Sequence, residues 1–491
     1  MKRLLKIHAD DSVAVALEDL AKGTTEDGLC LLADIPFGHK AAVCHVKAGE
    51  RVIKYGYPIG IATQDIPAGA WVHSHNMKTA LSDIIEYTYA PSPETVRPVL
   101  PEERFFEGYR RTDGRVGIRN EIWILPTVGC VNKTAEQLAQ KAGTLFGACC
   151  DGFFAYTHPY GCSQLGDDEG FTQAILAGLA KHPNTAGVLL LSLGCENNHL
   201  DVFLPKLGEY DKNRIRTLVT QDAGDELAEG METLGQLALL AKQDKRERVP
   251  LSELVVGLKC GGSDAFSGIT ANPLCGCFAD GLTALGGSIV LTEVPEMFGA
   301  ETILMNRAAD GRIFNETVGM INSFKNYYKR YNQVIYENPS PGNKKGGITT
   351  LEEKSLGCIQ KGGKAAVRGV LSYGGALNKK GLNLLSGPGN DIVSTTALAA
   401  SGAHMILFTT GRGTPLGAPV PTIKIATNTG LFERKPNWID YNAGELLEHF
   451  DFARLTRDLW TLVLDTANGR TTKNEENDYR EIAIFKDGVT L

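Results

Sequence analysis

The sequence lacks any apolar run long enough to cross a membrane, and it lacks an extended block of basic residues. Its longest apolar run, 186–193, is far shorter than the roughly 20 residues that a membrane helix needs. Charged residues interrupt the first eleven positions before the apolar core of a signal peptide can form. The formal net charge is -7 and no Lys/Arg block exceeds a short pair, so the chain has no electrostatic footprint for nucleic acid. We therefore expect a cytoplasmic protein with neither a membrane nor a nucleic-acid partner.

A disulfide framework is not indicated either. The 11 cysteines are an odd number spread over 491 residues, which is typical of reduced thiols. Disorder is excluded because 43% of the residues are hydrophobic and 22% are charged. At roughly 150 residues per domain, the length predicts about three domains. Five cysteines adjoin a glycine within a polar cluster and need an explanation: Cys130, Cys162, Cys195, Cys260 and Cys358.

The predicted fold class is α/β, with a small N-terminal all-β module followed by two α/β domains with largely parallel sheets. Residues 1–90 repeat a turn in which a glycine lies three positions after a hydrophobic residue, which is typical of short strands. Residues 91–104 form a predicted stiff linker. The linker prolines are Pro91, Pro93, Pro98 and Pro101. In 105–245 and in 250–491, apolar strand runs alternate with helical periodicity, which predicts one α/β domain in each range.

Polar clusters follow the predicted strands directly, at the edge where parallel sheets bind ligands. Predicted strands are 121–126, 186–193, 214–220, 254–259, 288–293, 382–385, 404–409 and 422–426. Predicted helices are 132–146, 222–242 and two that begin near His199 and Asn272. The Gly-rich segment 337–361 is predicted to be a long functional loop. Alternation along a strand predicts that His73 and His75 share one face, beside Asn76.

Amide and hydroxyl side chains in these clusters suit a polyol, whereas cationic side chains suit a carboxylate. The candidate cations are Lys344, Lys345, Lys361 and Arg412. Two alternatives stay open, because a Gly–Cys pair at a strand end also serves tight packing and paired histidines also form a solvated strand face. No phosphate-binding GxxxxGK[ST] or GxGxxG motif lies between a predicted strand and helix, so the clusters do not indicate a nucleotide.

Eight segments, in one order along essentially the whole chain, resemble the altronate and galactarate dehydratase family. They are 127–132, 161–168, 194–198, 260–264, 292–301, 337–347, 411–415 and 481–486. The N-terminal module resembles the β-clip (SAF) module of that family. The resemblance implies a hydro-lyase that depends on ferrous iron and converts D-altronate to 2-dehydro-3-deoxy-D-gluconate. Cys275 and Cys277 depart from the family pattern, so no role is carried onto them.

The clusters and the resemblance together predict three sets of site residues. The catalytic candidates are Cys130, Cys162, Cys195, Glu196, Cys260, Asp264, Glu293 and Glu296. The substrate-binding candidates are Asn132, Gln164, Asn197, Asn198, Lys344, Lys345 and Arg412. The metal-ligand candidates are His73, His75 and Asn76. The β module would then close over the pocket of its own chain, or of a neighbouring chain in a homo-oligomer.

The expected chemistry begins with removal of the proton α to a carboxylate. Because that step creates an unstable dianion, we expect a divalent cation and a positioned base. Loss of the 3-hydroxyl then leaves an enol, which becomes the 2-keto acid. Fe²⁺ is the expected metal and Mn²⁺ suits the same ligands. The alternative is an iron–sulfur cluster on three or four of the glycine-adjacent thiols.

Three other functions fit the same residues: dehydration of galactarate, cleavage of a related sulfonated hydroxy acid, and noncatalytic binding of a sugar acid. A diacid such as galactarate would need an extra cation at the distal end of the pocket. A binding protein would gain stability from its ligand without turnover. In every case the expected partner is a small sugar acid or a close analogue.

Overall fold

Short antiparallel strands joined by tight turns build the N-terminal module. The computed structural model describes residues 2–81, 84–92, 94 and 96–491. The strands of the module are β1 Leu4–Leu5, β2 Val13–Ala16, β3 Thr25–Glu26, β4 Leu29–Cys30, β5 Lys40–Ala42, β6 Arg51–Lys54, β7 Tyr57–Ala62, β8 Trp71–Val72 and β9 Met77–Lys78. They pair in the orders β1-β2-β5-β8, β6-β7-β9 and β3-β4. In the repeated turn Gly38, Gly49 and Gly69 take φ values of 79°, 85° and 85°, a region that glycine adopts more readily than other residues.

The segment with the paired histidines is a turn. The prediction that His73 and His75 share a strand face is wrong, because β8 ends before them and β9 begins after Asn76. The Asn76 side chain closes this turn, since its Oδ1 accepts from the His73 amide at 3.0 Å and its Nδ2 donates to the Trp71 carbonyl at 2.9 Å. This local hydrogen bonding competes with extension of the strand.

A small antiparallel sheet lies where the chain enters and leaves the central domain. Its strands are β10 Phe105–Arg110, β11 Val116–Gly117 and β16 Arg246–Pro250, in the order β11-β10-β16. Phe105 pairs with Pro250, so the two ends of the central domain are held together. The predicted domain limits themselves stay predictions.

The linker packs against the C-terminal domain, since the Ser92 amide donates to the Asn306 carbonyl at 3.0 Å. Its described part, 91–92, 94 and 96–104, contains no helix or strand, and Pro93 lies outside the described residues. Tyr89 Oη donates to the Ala308 carbonyl at 2.8 Å. The segment before the predicted linker is therefore also anchored.

The central domain has a four-stranded parallel sheet with helices on its faces. Its strands are β12 Glu121–Pro126, β13 Gly152–Ala155, β14 Thr185–Ser192 and β15 Ile215–Val219, in the order β13-β12-β14-β15. Its helices are α1 Asn132–Phe146, α2 Asp167–Ala180, α3 Leu200–Leu207 and α4 Glu226–Ala241. The predicted parallel sheet is confirmed. Sequence reasoning missed β13, a strand of only four residues.

The C-terminal domain has a seven-stranded parallel sheet in the order β19-β20-β18-β17-β21-β22-β23. Its strands are β17 Val255–Cys260, β18 Ser288–Leu291, β19 Val367–Leu371, β20 Gly381–Leu385, β21 Met405–Thr410, β22 Thr422–Ala426 and β23 Tyr441–Asn442. Its helices are α5 Ala271–Ala284, α6 Glu301–Met305, α7 Gly311–Arg330, α8 Pro341–Lys345, α9 Leu351–Cys358, α10 Asp391–Ala400, α11 Thr429–Arg434, α12 Leu446–His449, α13 Phe452–Ala467 and α14 Lys473–Glu476. None of the helices in the described ranges is both long and apolar enough to cross a membrane.

The segment 337–361 differs from its prediction as one long loop. It contains α8 and α9, and Ser340 caps α8 through a capping box with Asn343. The Thr350 side chain caps α9 by accepting from the Glu353 amide at 3.3 Å. The glycines suggested a loop, but these local caps start two short helices.

Continuous apolar packing joins the three parts of the chain. One cluster contains Val52 of the module, Phe106 of the small sheet, and Leu258 and Trp460 of the C-terminal domain. A second cluster includes Trp123 of the central sheet and side chains of α10 and β21. The two parallel sheets are therefore held in one arrangement by buried side chains.

A buried ion triad joins the β module to α9. Glu353 lies 2.9 Å from Lys40 Nζ and 2.8 Å from Lys54 Nζ, and each side chain is at most 1% exposed. Burial lowers the pKa of Lys40 to about 8, against the attraction of the carboxylate. Burial also opposes ionisation of Glu353, but the two ammonium groups outweigh it and hold the pKa of Glu353 well below its usual range.

We expect Glu353→Gln to lower the free energy of unfolding by about 3–5 kcal/mol, because the change leaves two buried ammonium groups without their counter-charge. Urea unfolding followed by circular dichroism measures this loss. The exposed pair of Glu316 and Arg312 on α7 provides the control. Glu316→Gln should cost less than about 0.5 kcal/mol. Similar unfolding free energies for the two variants would contradict a structural role for the triad.

Candidate functional site

Two thiols and a carboxylate meet at the carboxyl edge of the C-terminal sheet. Cys260 ends β17, Glu296 lies in the turn after β18, and Cys358 ends α9. The two sulfur atoms are 3.2 Å apart, and Glu296 Oε2 lies 3.4 Å from Cys260 Sγ and 3.0 Å from Cys358 Sγ. All three residues are buried, and their ligand atoms lie within 4.8 Å of one another. This group, the buried centre, can bind a metal ion.

An unusual backbone conformation places Glu293 beside the buried centre. Glu293 follows β18 with φ 73° and ψ 56°, a left-handed conformation that costs a non-glycine residue about 1–3 kcal/mol. Its Oε2 accepts from the Cys260 amide at 3.0 Å and lies 3.3 Å from Lys361 Nζ. Glu293 thus fixes the end of β17. Its strained conformation must be maintained by the packing around it, as is common at functional sites.

Three buried lysines, Lys259, Lys354 and Lys361, surround the carboxylates of Glu293 and Glu296. Lys354 Nζ lies 2.8 Å from Glu296 Oε1, and Lys259 Nζ pairs with Glu293 and lies 2.8 Å from Asp391 Oδ1. Burial penalises the Glu296 charge, but Lys354 and Lys259 outweigh it and hold the pKa of Glu296 well below its usual range. Burial likewise opposes the Lys354 charge, but the Glu296 carboxylate raises the pKa of Lys354.

The two thiols are not equivalent. A hydrogen bond between the sulfur atoms lowers the pKa of Cys260 and raises the pKa of Cys358. Ser263 Oγ lies 3.5 Å from Cys260 Sγ as a further donor. Cys260 is therefore the thiol that is more readily present as a thiolate, which is the form that binds metals.

The donor set fits a divalent transition metal. Thiolate sulfur with carboxylate oxygen is a mixed soft and hard ligand set, which suits Fe²⁺ better than Mg²⁺ or Ca²⁺. The three lysines balance the three carboxylates of Glu293, Glu296 and Asp391. If Cys260 and Cys358 are both thiolates, the site keeps two negative charges, which a divalent cation would neutralise. Lys361 Nζ makes no hydrogen bond within the described part of the chain, but it lies 3.3 Å from Glu293 Oε2 and so balances that charge at short range.

The backbone above the buried centre opens to solvent at Gly262. A Cβ on Gly261 would come within 2.5 Å of Asp391 Oδ2, and a Cβ on Gly262 would come within 3.6 Å of Arg412 Cβ. Asp391 and Arg412 therefore lie close to this glycine pair. The Asp391 side chain is 35% exposed, whereas Glu293 and Glu296 are buried. We call the surface formed by Gly261, Gly262, Asp391, Arg412 and Lys344 the mouth.

Helix α8 forms one side of the mouth. Arg412 Nη1 donates to the Gly342 carbonyl of α8 at 3.2 Å, and the helix also carries Lys344 and the exposed Lys345. The structure thus brings together the cations predicted to bind substrate, except Lys361, which is buried beside Glu293.

Asp264 braces this part of the site. Its carboxylate accepts from Thr427 Oγ1 at 2.9 Å, from Asn428 Nδ2 at 3.1 Å and from Ser267 Oγ at 3.2 Å. Burial raises the pKa of Asp264, and the Thr427 and Ser267 hydrogen bonds oppose this effect. The side chain fixes the loop after β17 to the loop after β22.

The β module contributes its histidine turn to the same side of α8. His73 Nε2 lies 3.0 Å from the Lys344 carbonyl, and His39 Nε2 lies 3.3 Å from the Lys345 carbonyl. Burial lowers the pKa of His73 to about 4, so its ring is neutral near pH 7. His75 is exposed and stacks on Trp71 with ring centroids 5.1 Å apart. Both nitrogens of His73 have protein partners, because Nδ1 lies 3.0 Å from Ser74 Oγ.

The other predicted thiols lie apart from the buried centre, on the loops that follow β12, β13 and β14. We call these three loops, with Cys130, Cys162 and Cys195, the thiol edge. The Gly129 amide donates to the Tyr160 carbonyl at 2.9 Å, which joins the first two loops. The Asn198 amide donates to the Gly161 carbonyl at 2.9 Å, which joins the second and third.

The remaining predicted residues stabilise these loops. Glu196 is buried and accepts from Thr127 Oγ1 and Ser192 Oγ, both at 2.6 Å, and from the Gly194 amide at 2.6 Å. These hydroxyl bonds hold the pKa of Glu196 below its usual value, although burial opposes them. The four amides also bond to the same loops: Asn132 to His158, Gln164 to Gly161, Asn197 to Ser163 and Asn198 to Thr127.

Sequence reasoning missed Lys259, Lys354 and Asp391. Lys259 had a signal, because a lysine at the end of an apolar buried strand needs an anionic partner. Asp391 had one too, because it closes the polar cluster 386–391 that follows the predicted strand 382–385. Lys354 had none, since it is an ordinary charged residue near the start of a short helix. Their partners come from distant positions in the chain, so only the fold reveals them.

Comparisons with known proteins cover the whole chain. Family models match "Altronate/galactarate dehydratase SAF domain" over 2–80, "D-galactarate dehydratase/Altronate hydrolase, second domain" over 108–242 and "D-galactarate/Altronate dehydratase, C-terminal" over 251–490.

Curated relatives match at full length. Altronate dehydratase of Bacillus subtilis is 51% identical and covers 100% of both chains. Altronate dehydratase of Escherichia coli is 51% identical over 99% of both chains. Galactarate dehydratase (L-threo-forming) of Escherichia coli is 34% identical over 98% of this chain and 96% of the relative. The chain therefore belongs to the altronate and galactarate dehydratase family.

Proposed function

We propose that the protein is a hydro-lyase that converts D-altronate to 2-dehydro-3-deoxy-D-gluconate. Relatives that are altronate dehydratases match it at 51% identity over their whole length. The observation that carries the proposal is the position of the buried centre directly beneath a mouth with cationic and carboxylate side chains. This arrangement suits a polyhydroxy carboxylate better than an apolar ligand.

Fe²⁺ held by Cys260, Glu296 and Cys358 would act as a Lewis acid that stabilises negative charge developing on the substrate. These residues are our proposed ligands in place of the histidine turn, in which His73 and Asn76 are occupied by protein partners. His75 stays a predicted metal ligand.

The mouth supplies groups that bind and orient the sugar acid. Arg412 and Lys344 can hold the carboxylate, because a guanidinium and an ammonium group both donate charge-assisted hydrogen bonds. A cavity of about 10 Å³ beside Lys354 and Cys358 is roughly the size needed for one water molecule. Because this cavity is too small for a sugar acid, the substrate binds at the mouth. The buried residues then act on it from the protein interior.

Asp391 is the proposed base. It is the partly exposed carboxylate of the site, and Lys259 holds its Oδ1 at 2.8 Å. Asp391 takes the C2 proton as the electrons move into the C2–C3 bond and the C3–O bond breaks. The same carboxyl group returns the proton to the departing 3-hydroxyl, which leaves as water. The enol product then becomes the 2-keto acid.

Galactarate is the second candidate substrate. A diacid needs cations at both ends, and the exposed Lys345 follows Lys344 at the end of α8, beside the mouth. A galactarate dehydratase also matches the chain, at 34% identity.

A keto-acid assay on a panel of aldonates and aldarates tests the substrate. We expect D-altronate to have the highest kcat/KM under anaerobic conditions with Fe²⁺. Higher kcat/KM with galactarate would transfer the proposal to the second candidate. Ligand-induced stabilisation without turnover of any panel member would contradict an enzymatic function.

Metal removal provides a second test. Chelation should abolish turnover, and Fe²⁺ or Mn²⁺ should restore it. Glu296→Gln should raise the Fe²⁺ concentration for half-maximal activation at least about tenfold, because it removes an anionic ligand. Glu337→Gln, at an exposed position of the same region, is the matched control and should leave that concentration unchanged. Full turnover by metal-free protein would contradict the metal-assisted mechanism.

Asp391→Asn tests the base. We expect kcat to fall about 10²–10⁴-fold with little change in KM, because the amide keeps the shape but cannot accept the proton. Asp458→Asn, on the exposed face of α13, should keep the wild-type kcat. A kcat for Asp391→Asn within twofold of wild type would exclude the aspartate as the base.

A further inference from the structure

The thiol edge contains three exposed cysteines, although cysteine is among the most buried residue types. Cys130, Cys162 and Cys195 are all exposed, whereas Cys260 and Cys358 are buried in the other domain. The structure thus separates the five thiols of the polar clusters into a group of three and a group of two. Exposed reduced thiols are readily oxidised, and a bound ligand would protect them. Three exposed thiols on one edge therefore indicate a ligand site.

The three loops are bonded to one another close to each thiol. Besides the bonds of Gly129 and Gly161, the Ser163 amide donates to Asn197 Oδ1 at 2.9 Å. Asn198 Nδ2 donates to the Thr127 carbonyl at 3.1 Å, which joins the third loop to the first. Residues adjacent to Cys130 and Cys162, and residues two or three positions beyond Cys195, therefore form one bonded ring of loops.

The glycine beside Cys162 is required for this approach. A Cβ on Gly161 would lie 2.0 Å from the Thr127 carbonyl oxygen, a distance that real side chains do not reach. Its φ of 99° is also unfavourable for other residues. Glycine at position 161 therefore allows the Cys162 loop to lie against the end of β12.

Two polar atoms at the thiol edge have no hydrogen-bond partner within the described part of the protein. Asn198 is fully buried, and its Oδ1 has no hydrogen-bond partner among the described residues. Asn132 is half-buried, and its Oδ1 also has no hydrogen-bond partner among those residues. Gln221 Nε2 donates to Cys195 Sγ at 3.4 Å, a type of contact that stabilises thiolate ligands in metal clusters.

The thiol spacing is too wide for one metal ion. Metal–sulfur bonds of roughly 2.3 Å in a tetrahedral site bring ligand sulfurs to about 4 Å from one another. Among the described residues, the three sulfurs of the thiol edge do not meet a 4.8 Å limit that the buried centre satisfies. Joined loops with more widely spaced thiols suit a ligand larger than a single ion.

We propose that Cys130, Cys162 and Cys195 bind a [4Fe–4S] cluster at the thiol edge. Three thiolates ligate three irons, so the fourth iron keeps a position free for an oxygen ligand such as a hydroxyl or carboxylate group. The exposure of the edge gives such a ligand access. The cluster is a second iron group besides the ion at the buried centre. It goes beyond the proposed function, since its presence does not depend on which sugar acid is the substrate.

Iron and acid-labile sulfide in anaerobically purified full-length protein test the proposal. We expect about four sulfides per chain and broad visible absorption, either as purified or after anaerobic reconstitution with Fe²⁺ and sulfide. Cys130→Ser, Cys162→Ser and Cys195→Ser should each lower bound sulfide at least fourfold. Circular dichroism and thermal unfolding show that each variant is folded.

Matched controls locate the cluster. Cys44→Ser changes an exposed thiol of the β module, and Cys358→Ser changes a thiol of the buried centre. Both should keep the wild-type sulfide content. Sulfide loss in Cys358→Ser with retention in the three thiol-edge variants would overturn the assignment. Iron without sulfide after reconstitution would overturn the cluster itself, whether or not altronate is turned over.

Discussion

The Glu353 carboxylate, buried between Lys40 and Lys54, is the interaction on which the arrangement of the site depends. Two ammonium groups of the β module cannot be buried without it, because an uncompensated buried charge costs several kcal/mol. The two ion pairs of Glu353 therefore fix the position of α9 relative to the β module. Since α9 also supplies Lys354 and Cys358, the same electrostatic constraint places one residue of the buried centre and the lysine that pairs with Glu296.

Parallel sheets account for the rest of the arrangement. Each sheet collects loop residues at its carboxyl edge, and here one edge forms the buried centre and the other the thiol edge. The chain segment 483–491 connects the two domains, since the Ala483 amide donates to Thr396 Oγ1 at 3.0 Å and the Leu491 amide to the Ser163 carbonyl at 2.9 Å. Groups with different chemistry are thus held in a single rigid frame.

The sequence predicted what depends on local pattern. The strand 121–126 and the helix 132–146 follow from apolar periodicity and match the structure. It did not predict the turn at His73 or the two helices in 337–361, because side-chain caps and turn hydrogen bonds override the pattern there. It pointed to Cys260 and Glu296 but not to Lys354 or Asp391, whose roles depend on partners brought together by the fold.

Helix α9 has only eight residues, and its consecutive side chains Glu353 and Lys354 bond to different parts of the molecule. An ion bound at the buried centre would therefore favour the same position of this short helix as the docked β module does. Thermodynamic reciprocity then requires that whatever the ion adds to docking, docking adds to the affinity for the ion. Docking of the β module would in this way raise the affinity of the buried centre for a metal ion.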